Sequence, residues 1–153
     1  MSHFTHISVQ SEDFDFAQQY KQLRESSASD GAIVTFVGLV RDINLKQSVH
    51  GLFLEHYPGM TEKVLVNIVE QARQKWSLGS VSVIHRVGDL NVSEQIVFVG
   101  VTSQHRQSAY QANEFIMDYL KTQAPFWKKE SSVEGDNWIE AKNSDQQKLK
   151  SWE

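Results

Sequence analysis

A mixed α+β fold, with helices on one side of a largely antiparallel sheet, is predicted by three features of the sequence. Residues 61–76 and 104–123 carry apolar side chains at helical spacing over several turns. Short runs rich in β-branched residues lie around them, at 31–40, 52–57, 81–87 and 95–102. Adjacent runs are joined by short loops, which argues against a doubly wound parallel sheet. The resulting order is β, β, α, β, β, α, β, with a shorter helix in front.

That first helix is expected over residues 14–24, where Phe16, Ala17, Tyr20 and Leu23 share a face. Residues 31–40 are too apolar for a solvated strand and read as a central strand covered on both faces. Residues 52–57 form the next strand, closed by Pro58-Gly59. Thr61 opens the second helix, whose stripe is Leu65, Ile68, Val69, Ala72 and Trp76, with Gly79 placed to stop it. Residues 81–87 and 95–102 are strands joined by a hairpin loop at 88–94. In the long helix that follows, Ser103 is a candidate N-cap, and Ala109, Ala112, Ile116 and Leu120 face inward. Pro125 forbids its extension, and residues 138–142 add an edge strand. The flexible parts are expected at the N-terminus, at 26–30 and in a polar tail at about 143–153.

The 153 residues fit a single domain with a genuine core, 40% apolar and 22% charged. A net charge of -4 argues against nucleic acid or anionic membrane as a partner. No apolar run approaches the roughly 20 residues that cross a bilayer. The first ten residues lack the basic start and apolar stretch of a signal peptide, so a cytoplasmic location is expected. There is no cysteine, which excludes disulfides, thiolate metal sites and a sulfur nucleophile supplied by this chain.

The six histidines, at 3, 6, 50, 56, 85 and 105, show no metal-ligand spacing, and His56 and His85 read as structural. No nucleophile elbow and no phosphate-binding glycine loop is present. What remains is a set of cations at element ends: Arg41 after the first long strand, His105 and Arg106 at the start of the long helix, and Lys121 in its last turn. Lys128 and Lys129 follow Pro125-Phe126-Trp127. Helix-end complementarity and a solvated turn explain such lysines equally well on spacing alone. An anion pocket walled by aromatics is the other reading, in which desolvation lowers a lysine pKa and readies it for proton transfer. His105 and Lys121 lie about 24 Å apart along one straight helix, so a compact site containing both needs a second copy of the chain.

Five segments resemble the molybdopterin synthase catalytic subunit family. They are Leu54-Glu55-His56-Tyr57-Pro58-Gly59-Met60, Val83-Ile84-His85-Arg86-Val87-Gly88, Gly100-Val101-Thr102-Ser103-Gln104-His105-Arg106, Phe115-Ile116-Met117-Asp118-Tyr119-Leu120-Lys121, and Ala124-Pro125-Phe126-Trp127-Lys128-Lys129-Glu130. The likeness runs over about residues 30–142, and the closing lysine, three residues, Pro-Phe-Trp-Lys is its most specific part. The resemblance implies an α/β hammerhead fold and a homodimer at the centre of a heterotetramer. At each end it implies a small ubiquitin-like sulfur-carrier subunit, whose thiocarboxylated C-terminal Gly-Gly tail enters the catalytic pocket. The implied activity is sulfur transfer to cyclic pyranopterin monophosphate, forming the dithiolene of molybdopterin without a metal or other cofactor. By position, Lys121 and Lys128 match the catalytic lysines. Leu39, Val40, Arg41, His105, Arg106, Lys128, Lys129 and Glu130 match substrate-binding stretches, and Phe36 and Met117 match pocket-lining residues. Lys142 stands where the family pattern has arginine, keeping the charge but losing the bidentate fork. The competing expectation is a non-catalytic module that docks a ubiquitin-like partner.

Overall fold

The computed structural model describes residues 3–41, 43–44, 47–132, 135–139 and 148–152, with backbone alone at 43–44, 47–50, 127–132 and 135–139. Alternation of side chains explains its main layer. Strands β1 (Thr5–Gln10), β2 (Ala32–Leu39), β5 (Val81–Arg86) and β7 (Gln95–Ser103) form a four-stranded sheet in the order β1-β5-β7-β2. Val81 and Val83 of β5, and Val97, Val99 and Val101 of β7, all turn to one face. There they meet helix α2 (Met60–Lys75) through Leu65, Ile68, Val69 and Ala72, and helix α3 (Arg106–Gln123) through Ala112, Phe115, Ile116 and Leu120. Ile84 and Phe98 turn to the other face and are covered by Phe14 and by Leu23 of helix α1 (Phe16–Glu25). The helices therefore cover both faces, not one. The alternating large apolar side chains in β5 and β7 required that second cover.

A second sheet is built on β4 (Gln47–His56), which lies between β8 (Phe126–Ser132) and β6 (Gly88–Asn91). The two-residue β3 (Ile43–Asn44) pairs with β4, and β9 (Gly135–Ile139) pairs with β8. Antiparallel pairing dominates, and β1 with β5 is the one parallel pair among the described residues. The mixed, mostly antiparallel α+β expectation is met, although two sheets stand where one was expected.

Several local expectations change. β2 is an edge strand, with Phe36 and Leu39 exposed, despite its apolar run. The N-terminal segment is paired as β1, and Arg73 fixes its start by donating to the Phe4 and Gly79 carbonyls. Residues 88–94 are not a simple hairpin loop, because β6 leaves β5 to join the second sheet. Ser103 ends β7, and its hydroxyl donates to the Ser77 carbonyl. His105 occupies the N-cap of α3 and makes no side-chain capping bond. Helix α2 ends at Trp76, so Gly79 does not terminate it. Any Cβ there would collide with the Asp30 carboxylate, which accepts a bond from Thr102. Asp30 thereby orders the 26–30 segment. The end of the tail is also docked: Trp152 packs edge-on against Trp76 and Phe115 and donates to Asp118 at 2.5 Å.

Two polar groups hold helices to the sheet. Asn113, buried in α3, donates from its amide to the Val34 carbonyl at 3.0 Å and the Val99 carbonyl at 2.9 Å. Asn113→Leu would leave both carbonyls without that donor and should cost about 3 kcal/mol, read as a lower urea midpoint with an unchanged slope. Asp13, at the entry to α1, is held below the ordinary carboxyl value by the Gln95 amide, then by the Phe14 N–H and Arg86. A lowered carboxyl contributes stability above its unfolded pKa and loses it as pH falls through the folded value. Asp13→Asn should therefore lower stability at neutral pH but weaken its fall between about pH 5 and about pH 3, measured by urea unfolding across that range.

Candidate active site

The corner between α3 and β8 is formed by the residues that stop the helix. Pro125 has no N–H to continue the ladder, and Ala124 gives the last one to the Leu120 carbonyl at 3.3 Å. The chain then turns into β8, whose Phe126 ring lies on the His85 imidazole at 3.9 Å between centroids and 20° between planes. His85 is buried, and its Nδ1 faces the Arg86 carbonyl at 2.8 Å, which places the ring proton on Nδ1. Thr61 clips the corner to the start of α2: its hydroxyl accepts from the Tyr57 N–H and shares its proton between the Tyr57 and Pro125 carbonyls. His56 is the cross-strand partner of Phe126. Three of the recognisable segments, around 56–61, 83–88 and 124–130, thus meet in one place.

Lys121, in the last turn of α3, and Lys128, in β8, stand on either side of this corner. Lys121 is exposed. Lys128, Lys129 and Glu130 are placed by backbone register, opposite Leu54, Phe53 and Leu52 of β4. Their side chains lie outside the described residues, as does the whole of Lys142, so the desolvated-lysine expectation rests on the sequence. Val40 packs with Leu54 and Leu90, and its backbone bonds to Glu94 and Ser93. That burial fixes Leu39 and Arg41, both exposed, on either side of it. Arg41 is therefore tethered beside the strand that carries Lys128 on its other side.

Helix α3 returns over β2 and β7 in the direction of β2, so Lys121 and Arg41 occupy the same end of the layer. Met117, half-buried, lies one turn before Lys121, and Phe36 lies on the strand beneath. His105 and Arg106 are at the other end. The helix is unbroken between Arg106 and Gln123, which keeps His105 and Lys121 about 24 Å apart in one chain. That end has no acidic residue in the first turn to neutralise its exposed N–H groups. A cavity of about 320 Å³ lies between α1 and the start of β2, lined by Tyr20, Arg24, Asp30 and Thr102 among others, and includes none of the predicted site residues. Among the described residues no group of His, Asp or Glu is placed to hold a metal.

Sequence reasoning missed Thr61, Asn113 and Arg86. Arg86 is buried and donates to the Ser11 and Gln95 carbonyls, locking the β5 end to the site. Thr61 looked like a helix start, and only its distance to residue 125 in space reveals the clip. Thr61→Val keeps the shape but removes the hydroxyl, so the Tyr57 amide should exchange with solvent at least about tenfold faster, with a cost of about 1–2 kcal/mol. Unchanged exchange at Tyr57 would show that the hydroxyl does not hold the corner.

Comparison with known proteins agrees with this arrangement. The family model described as MoaE protein matches residues 9–123. The molybdopterin synthase catalytic subunit of Escherichia coli (strain K12) is 57% identical over 148 residues, covering 97% of this chain and 98% of that one. The solved MoaE protein from Burkholderia ambifaria MC40-6 superposes with a TM-score of 0.83 at 43% identity, covering 97% of each chain. The molybdopterin synthase structure from Staphylococcus aureus gives 0.80 at 32% identity, over 86% of this chain and 95% of that one. With the family model across most of its length and such relatives along nearly all of it, the chain belongs to the MoaE family of molybdopterin synthase catalytic subunits.

Proposed function

We propose that this chain takes sulfur from the thiocarboxylated C-terminus of a small ubiquitin-like carrier subunit and delivers it to cyclic pyranopterin monophosphate, building the dithiolene of molybdopterin. The observation that carries the reading is the placement of Lys121 and Lys128 across the Pro125 corner, within a chain 57% identical to a catalytic subunit along nearly its whole length. A chain without cysteine needs its sulfur brought to it. The carrier's tail supplies it, so no cofactor is required.

Sulfur attack on a pterin carbon moves protons and builds negative charge, and two lysines serve both needs. Lys121 holds the tail's terminal carbonyl and the attacking sulfur, and Lys128 positions the pterin and transfers a proton. Arg41 and, from a second copy, His105 and Arg106 take the substrate phosphate as charge-assisted contacts. Leu39, Val40, Lys129 and Glu130 complete the binding stretches, Phe36 and Met117 line the pocket, and Lys142 adds charge at its rim. The chain works as one catalytic domain in the core homodimer of a heterotetramer. No helix among the described residues is long and apolar enough to cross a membrane, and the proposed location is the cytoplasm.

Purified chain, thiocarboxylated carrier and cyclic pyranopterin monophosphate test the reading directly. Dithiolene should form, and Lys121→Ala or Lys128→Ala should lower its rate by about 10²-fold or more. A non-catalytic docking module would bind the carrier and form none. If Lys128→Ala abolished turnover without weakening pterin binding while Lys121→Ala weakened binding alone, the two roles would be exchanged.

A further inference from the structure

The four-stranded sheet has two unlike edges. β1 is Thr-His-Ile-Ser-Val-Gln, polar at alternate positions. β2 is Ala-Ile-Val-Thr-Phe-Val-Gly-Leu, with no charge and no proline over eight residues. Among the described residues only β7 pairs with it, so its other row of N–H and C=O groups has no strand beside it. Isolated edges are normally protected by lysine, proline, a bulge or brevity. The only such feature in β2 is the register shift between Gly38 and Leu39, at its very end. Apolar surface gathers along this same edge: Phe36 is 40% exposed, Leu39 53% and, on the overlying helix, Tyr110 63%.

Helix α3 runs alongside β2, and the two are matched in length. From Arg106 to Lys121 the helix covers about 23 Å, and β2 covers about 23 Å from Ala32 to Leu39. Arg106, Tyr110, Met117 and Lys121 fall on one stripe of α3, set apart from the stripe of Phe115 and Tyr119 that packs toward Trp152. One end of the edge therefore carries His105 and Arg106, and the other carries Lys121, Leu39 and Arg41.

We infer that β2 pairs antiparallel with β2 of a second copy about a two-fold axis beside Phe36, and that this pairing completes each catalytic site by exchanging the ends of α3. The inference rests on the reading above that His105 and Arg106 serve the pterin site. The axis reverses strand and helix together. Because both are about 23 Å long, His105 and Arg106 of one copy arrive beside Arg41 and Lys121 of the other. A continuous eight-stranded sheet results, with both uncharged edges paired and Phe36 and Tyr110 covered. The contact is isologous, so it closes on itself and leaves only the polar β1 edges outside.

The absence of cysteine makes the test clean. Single variants Phe36→Cys and Thr35→Cys place a thiol beside the axis, where opposed Cβ atoms come within about 5.5 Å. Mild oxidation of the full chain should give a covalent dimer in at least one of them. Val66→Cys, exposed on α2, should give none. Failure of both axis variants to cross-link, or equal cross-linking at Val66, would overturn the pairing. Mixing Lys121→Ala chains with Arg106→Ala chains tests the shared site, because a mixed dimer holds one intact and one doubly defective site. Activity should recover to about a quarter of the unmodified enzyme after random exchange, and no recovery would overturn the exchange of helix ends. Failure of the catalytic reading would look different: the single variants would keep full activity while the cross-link still formed.

Discussion

A proline donates no N–H, and its ring collides with the carbonyl of the preceding turn, so a helix that reaches one must end. In this protein that local prohibition organises the rest. Because α3 stops before Pro125, the chain re-emerges as β8 and pairs with β4. The second sheet and the spacing of Lys121 from Lys128 are both set there. The neighbouring groups consolidate the turn rather than create it: His85 supplies a flat face for Phe126, and Thr61 satisfies the Pro125 carbonyl. The corner is thus held by one covalent constraint and two weak interactions, each worth about 1 kcal/mol.

The elements written in apolar periodicity were legible from the sequence. Helices α2 and α3, and strands β5 and β7, lie within a residue or two of where the pattern put them, because each buries a repeating face against the others. β1 and β8 were missed for a common reason. Thr-His-Ile-Ser-Val-Gln and Phe-Trp-Lys-Lys-Glu-Ser-Ser carry little hydrophobic signal, and their pairing is decided by partners far away in sequence. The edge position of β2 was misjudged because composition reports that a strand will be covered without saying what covers it.

The site divides in the same way. Arg41, His105, Arg106 and Lys121 could be picked out as cations at element ends, and their family-like neighbours gave them roles. Their supports could not. Asn113 sits mid-helix, where an amide usually means solvent, yet it is buried and bridges two strands. Arg86 reads as a surface charge at a strand end but is buried among carbonyls. Such polar groups answer to backbone atoms brought near by the fold, and one-dimensional spacing holds no record of those.

The docking of Trp152 changes how the second sheet should be pictured mechanically. The chain leaves α3 after Gln123 and comes back to the same helix at Asp118 and Glu114, where Trp152 and Lys148 attach. Departure and return are separated by less than three turns of one rigid rod. The excursion that carries Lys128 is therefore a closed loop mounted on α3. Its frame of reference is the helix that bears Lys121, so a disturbance at the chain's far end reaches both lysines through a single body.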